Sequence, residues 1–150
     1  MRHGPAEDRA ASGRDLDRPL SKSGRLVVMD VATRLRAARA TPMPRILSSP
    51  ALRAIETATI VRDSCADARL EVEIDDDLAP DEDPPLLLVS ALLDSGVDAM
   101  IVGHQPWVEH LVRGLADDSS SLRGVRTATI VTLESMGRSW CVRSILEGGS

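Results

Sequence analysis

The chain is 150 residues long, 43% hydrophobic and charged −5 at neutral pH, with a pI near 5.2. That length fits a single domain burying about two thirds of its unfolded surface, and the acidic balance argues against non-specific binding of DNA or anionic membrane. With no Phe, no Tyr and two Trp, the core must be built from Leu, Val, Ile, Ala and Met, which excludes the aromatic platforms of many single-strand nucleic-acid binders.

Three residues at the start carry a chemistry of their own. In Arg2-His3-Gly4 the guanidinium is a planar fork matched to phosphate oxygens, and the imidazole is a neutral nucleophile near physiological pH. The glycine lets the backbone approach a ligand or adopt φ > 0. Alone, such a tripeptide is more often a frayed terminus than a site. Residues 5–20, rich in Asp and Arg and punctuated by Pro5 and Pro19, read as a loop. Ser21 is a candidate N-cap for an amphipathic helix from Lys22 to about Ala40, with Val28, Val31, Ala32, Leu35 and Ala38 inward and Arg25, Arg34, Arg36 and Arg39 mostly outward. Pro42 and Pro44 stop it.

Arg45–Ser48 then reads as a buried strand, and Pro50–Cys65 as a second helix with Ala54, Ile55, Ala58 and Val61 on its inner face. Leu70–Ile74 alternates apolar and acidic residues as a half-exposed strand does, and an acidic, proline-bearing loop runs from Asp75 to Pro85. A helix over Leu86–Leu93 ends at Gly96. Ala99–Gly103 is a strand covered on both faces, with His104-Gln105-Pro106 at its C-terminal end and a helix from Pro106 to about Ala116 beyond. A polar loop leads into an antiparallel hairpin, Thr127–Leu133 and Ser139–Leu146 around Met136-Gly137, and residues 148–150 read as a disordered tail.

Strands alternating with helices predict a three-layer α/β/α sandwich over residues 1–150, with a mostly parallel central sheet and an antiparallel edge hairpin. Ligands of such sheets bind at the C-terminal ends of strands. That rule selects Arg2-His3-Gly4, Ser48-Ser49-Pro50 leading to Arg53, and Gly103-His104 together. Cys65 and Cys141 lie far apart without metal-ligand spacing and read as buried thiols in a reducing compartment. No apolar run approaches a membrane span and no signal-like segment opens the chain, so the expectation is a cytoplasmic protein.

These stretches, together with Asp17-Arg18-Pro19-Leu20, Gly24, Ala54, Thr57 and Leu78-Ala79-Pro80, come in an ordered set over most of the chain. In this the chain resembles the histidine phosphatase superfamily, of phosphoglycerate mutase-like fold, and within it the compact SixA-type phosphohistidine phosphatases. The short spacing from the second helix to the strand before His104 leaves no room for the lid insertions of the larger mutases. The resemblance implies a metal-independent phosphatase without cofactor, in which His3 is transiently phosphorylated, Arg2 and Arg53 clamp the phosphoryl oxygens and His104 donates to them. Gly4, Arg18 and Ser49 are the further residues expected at the substrate. Fixed cationic donors suit a loose phosphoryl transition state, whose charge is spread over equatorial oxygens.

The general acid stays open between Asp81, Asp83 and none, because proline stands where the mutase-like branch carries a glutamate in Leu78-Ala79-Pro80-Asp81-Glu82-Asp83. A solvated acidic surface is the plainer reading of those aspartates, and of Glu7 and Asp8. Imidazole leaves a phosphoramidate with less help than an alkoxide needs, which tilts the substrate toward phosphohistidine on a phosphotransfer protein. The alternatives are a small phosphorylated metabolite as substrate, or a non-catalytic phosphate-binding domain. Neither nucleic acid nor membrane is expected as a partner, and the chain is read as a monomer. Turn formation and capping explain Ser48 and Ser49 as well as phosphate binding does, Arg18 either raises the potential at the mouth or pairs with nearby aspartates, Trp107 packs or lines the rim, and His110 is a surface or capping residue. The resemblance also implies an apolar central strand of about five residues leading into Arg2. Only Met1 precedes it here, so the expectation is a truncated strand with Met1 an internal methionine.

Overall fold

The computed structural model describes residues 1–38, 43, 45–65, 70–117, 122, 124–137 and 139–148. Arg39, Pro42 and Pro44, where the sequence predicts the end of the first helix, lie outside them. The elements are α1 (Lys22–Ala38), β1 (Ile46–Ser48), α2 (Leu52–Cys65), β2 (Val72–Ile74), α3 (Leu86–Ser95), β3 (Met100–Val102), α4 (Trp107–Leu115), β4 (Ile130–Met136) and β5 (Ser139–Leu146). Two 3-10 turns, Asp15–Asp17 and Asp76–Leu78, structure segments that the sequence presents as plain loops. Ser21 is the N-cap it promises to be, its hydroxyl accepting from the Gly24 N–H.

β1 lies between β2 and β3, parallel to both, in a register that sets Ile46, Leu47 and Ser48 against Met100, Ile101 and Val102. Side chains alternate across this sheet. Ile46, Met100 and Val102 enter one core with Val28, Val31, Ala32, Leu35, Ala54, Ala58 and Val61, the inward faces of α1 and α2. Leu47 enters the other, with Leu92, Trp107, Val108 and Val112 of α3 and α4 and with Val131 and Leu133 of β4. The layers are therefore helix, sheet, helix. Each fully buried aliphatic side chain contributes roughly 1.5–3 kcal/mol by leaving water. Strands covered on both faces need apolar residues at successive positions, which is why their sequences read as runs.

Met1–Gly4 extends this sheet past β3. Arg2 bridges Gly103 in parallel, the Gly103 N–H donates to Met1 O, and the His3 N–H donates to Gly103 O. On the far side the Arg2 N–H donates to Thr129 O and the Ala128 N–H to His3 O. Thr127–Thr129 thus serve the N-terminal segment, with Ala128 at φ 59, and β4 begins at Ile130 and runs on to Met136 instead of spanning Thr127–Leu133. β4 and β5 form the expected antiparallel pair, irregular at Thr132/Leu133. A cleft of about 630 Å³ is lined by Met1, Met100 and Ile101 on one side and by Leu111, Val131 and Leu133 on the other. The amino group of Met1 sits at its head, donating to Ile101 O at 2.6 Å, and burial lowers its pKa to about 5.

Two smaller expectations change. Gly148 packs against Val27 and Ala128, where a Cβ would have no room, so the predicted tail is seated at its first residue; residues 149–150 lie outside those described. The thiols are half-buried and not buried, that of Cys65 donating to Ala32 O. Among the described residues no helix is long and apolar enough to cross a membrane.

Candidate active site

The N-terminal segment and the ends of β1 and β3 converge on one group of side chains. His3 is held through its backbone on both flanks, and its ring Nδ1 lies 2.7 Å from Gly4 O. A carbonyl only accepts, so Nδ1 carries the proton and the lone pair of the neutral ring is on Nε2. The His104 ring centroid is 4.9 Å away, tilted by 49°. His104 follows β3, is 2% exposed, and sets Nε2 2.8 Å from the hydroxyl of Ser49, the residue after β1. That hydroxyl also accepts from the Ala51 N–H in the turn that leads into α2.

Both imidazoles resist protonation. Burial lowers the His3 pKa to about 4, aided by the charges of Arg53, Arg2 and Arg18 and opposed by the bond to Gly4. Burial lowers that of His104 to about 3, aided by His3 and Arg53. Each ring is neutral at physiological pH.

The cations arrive from three directions. Arg53, in the first turn of α2 with its side chain only 6% exposed, donates through Nη1 to Asp15 O at 2.8 Å and through Nη2 to Asp15 Oδ2 at 2.9 Å. Arg18 donates through Nη1 to the other carboxylate oxygen, Asp15 Oδ1, at 2.8 Å and through Nε to Glu7 O at 2.7 Å. Arg2 donates through Nη1 to Val125 O at 3.0 Å, while its Nε is buried with no partner in the structure. Burial lowers the Arg2 pKa from its ordinary value, yet a guanidinium keeps its charge at any physiological pH. The Val125 carbonyl is shared with Gln105 Nε2, itself anchored on Glu109, so the start of α4 fixes the acceptor that orients Arg2.

Arg2, His3, Arg53, His104 and Ser49 thus share one site, and Arg18 reaches it through Asp15 while lowering the His3 pKa. Gly4 answers a packing demand, and of the two backbone options offered by the sequence the left-handed one is not used. Its φ is not positive, its N–H is taken by Thr57 Oγ1 at 3.0 Å, and a Cβ would stand 2.4 Å from Val28 Cγ2. α1 lies against the N-terminal segment and leaves no room for a side chain there. Trp107 packs, 1% exposed, with its ring where a Gly103 Cβ would be and Nε1 donating to Ala79 O. His110 is exposed on α4, and Asp81 and Asp83 are exposed on the acidic loop. Asp15, Gln105 and Val125 are the contributors that sequence reasoning passes over. The last acts through its main-chain oxygen, which no side-chain pattern announces. Among the described residues no group of three or more His, Cys, Asp or Glu side chains gathers as a metal site.

Chemically, an uncharged imidazole with its lone pair directed by a main-chain acceptor, among fixed guanidinium groups, can accept a phosphoryl group while the cations hold its oxygens. Fold and site together define a hydrolytic phosphatase that works with imidazole and guanidinium groups. The model of the histidine phosphatase superfamily (branch 1) matches residues 1–79, more than half of the chain, and the chain belongs to that superfamily. Among curated proteins no sequence match is found.

Solved structures agree on the fold. The protein histidine phosphatase SixA complexed with tungstate is 27% identical over 97% of this chain and 93% of its own, with a TM-score of 0.83. The protein designated SixA from Agrobacterium tumefaciens is 23% identical, with a TM-score of 0.81 over 98% of this chain and 94% of that one. Mycobacterial glucosyl-3-phosphoglycerate phosphatase in complex with inorganic phosphate is 20% identical, with a TM-score of 0.70 over 98% and 95%.

Proposed function

We propose that the protein removes the phosphoryl group from a phosphohistidine of a phosphotransfer protein by way of a phosphorylated His3. The observation that carries this reading is the contact of His3 Nδ1 with Gly4 O: a carbonyl only accepts, so Nε2 keeps the lone pair for attack, and the ring stays neutral down to about pH 4. Nε2 forms a bond to phosphorus as the bond from phosphorus to the substrate imidazole breaks. Arg53 and Arg2 hold the equatorial oxygens and His104 lies across from the attacking ring. Water then attacks phospho-His3, releasing orthophosphate and restoring the neutral imidazole.

The choice of phosphohistidine rests on the leaving group. Asp81 and Asp83 are exposed to solvent and, among the described residues, make no bond to the site, so on this reading departure draws its proton from water, which a leaving imidazole tolerates far better than an alkoxide. The 27% identity to a protein histidine phosphatase supports the same substrate class. The test is incubation with phosphoramidate followed by intact mass, expecting one phosphoryl group on the wild type and none on His3→Ala. Turnover of a phosphohistidine protein is then compared with that of p-nitrophenyl phosphate. An ester hydrolysed as fast as the phosphoramidate would remove the substrate assignment and leave the phosphatase.

A further inference from the structure

We propose that Asp15 is the positioning residue of the phosphate clamp, locking the Arg53 guanidinium from one edge and tying Arg18 to the same assembly. The inference rests on the reading above for what the clamp holds. Its basis is that Asp15 supplies, among the described residues, every hydrogen-bond acceptor of the buried Arg53 side chain: its main-chain oxygen takes Nη1 and its Oδ2 takes Nη2. A guanidinium removed from water without acceptors is strongly destabilised, so the orientation of Arg53 is dictated by this one residue. Two of its five N–H groups are used, and three remain for phosphoryl oxygens.

The second oxygen, Oδ1, takes Arg18 Nη1, and Arg18 Nε in turn reaches Glu7 O. A continuous chain of bonds therefore runs from the backbone at Glu7 through Arg18 and Asp15 to Arg53. The 3-10 turn Asp15–Asp17 gives this chain its shape: the Asp17 N–H donates to Arg14 O, the Arg18 N–H to Asp15 O, and Ser12 Oγ to Asp17 Oδ2 at 2.6 Å. The two arginine bonds, that of Arg18 first, lower the Asp15 pKa, so its carboxylate is charged at physiological pH.

A carboxylate on a phosphate-binding arginine has a second possible meaning, that of an internal anion which substrate must displace. The main-chain bond argues for positioning. Displacement would have to lift the turn itself, since Nη1 is held by the Asp15 carbonyl and not by its side chain.

The two meanings predict opposite signs. Affinity for inorganic phosphate and for tungstate is measured by calorimetry on wild type, Asp15→Asn and Asp15→Ala, and the rate of phospho-His3 formation from phosphoramidate is followed by mass. Positioning predicts weaker anion binding and a rate lower by about tenfold to a hundredfold. In an Arg53→Ala background the further change Asp15→Ala should then make a clearly smaller difference than in wild type, because the larger part of its effect passes through Arg53 and only the tie to Arg18 remains. Asp15 is more than half exposed at its side chain, and the thermal midpoint of each variant separates clamp loss from unfolding. Tighter anion binding by Asp15→Asn, or an undiminished effect of Asp15→Ala without Arg53, overturns the proposal. If wild type forms no phosphoenzyme, it is the function proposed above that fails, and the anion affinities still decide the role of Asp15.

Discussion

The charge state of His3 is open to direct measurement. Burial and the three neighbouring arginines lower its pKa to about 4 from the 6.5 of a solvated histidine. At pH 5 a ring with that pKa is ~90% neutral, whereas an unperturbed one is ~3% neutral, a difference of roughly thirtyfold in available nucleophile. The assay is an NMR titration of the ligand-free protein labelled at imidazole nitrogen. The chain has three histidines, and the exposed His110 is removed as His110→Asn so that two rings remain. The expected result is that neither ring titrates above pH 5, and that His3 keeps Nδ1 as its protonated nitrogen. The rate of phosphoenzyme formation, corrected for ionisation of the donor, should stay flat from pH 8 to pH 5 and fall below. Titration of His3 near 6.5, or a proton on Nε2 in the neutral ring, would refute the reasoning, since either leaves no lone pair where attack requires it.

The same values set a stability profile. Unfolded histidines take up protons near pH 6.5 while the folded rings wait for about 4 and about 3, so the unfolded state binds more protons across that window. Stability should therefore fall by on the order of a few kcal/mol as pH drops from 6.5 toward 4, read as a falling urea midpoint, and His3→Ala should flatten part of the slope. Arg53→Ala should slow phosphoenzyme formation by ~10²–10³, with Arg53→Lys recovering only part because a point charge lacks the fork; equal rates for the two would remove the geometric argument. Gly103→Ala would set a Cβ 1.9 Å from the buried Trp107 ring, and a loss of about 1–3 kcal/mol in chemical unfolding, largely relieved by Trp107→Leu, is expected.

Much of this architecture is legible from periodicity. Val28, Val31, Ala32 and Leu35 face one core, as their 3.6-residue spacing demands, and the apolar runs at Ile46 and Met100 become adjacent parallel strands. The strand-end rule is enough to gather His3, Arg53 and His104, although successive members are fifty or more positions apart. What escapes the sequence is non-local. Asp15 looks like one more acidic loop residue until a helix starting at Leu52 delivers Arg53 to it. Nothing local to Gly4 reveals that Val28 will occupy the place of its missing Cβ. Thr127–Thr129 have the composition of a hairpin strand, yet they pair with a segment more than a hundred residues earlier, and pairing partners across such distances leave no mark on either stretch.

The backbone of His3 donates to Gly103 and accepts from Ala128, so the attacking ring hangs from a rigid mount between two neighbours. Arg53, by contrast, is trimmed by a surface turn. The nucleophile is therefore fixed by the sheet, whereas the grip on phosphoryl oxygens depends on the shape of the Asp15–Asp17 turn, so loosening that turn would disarm the clamp and leave the attacking ring in place.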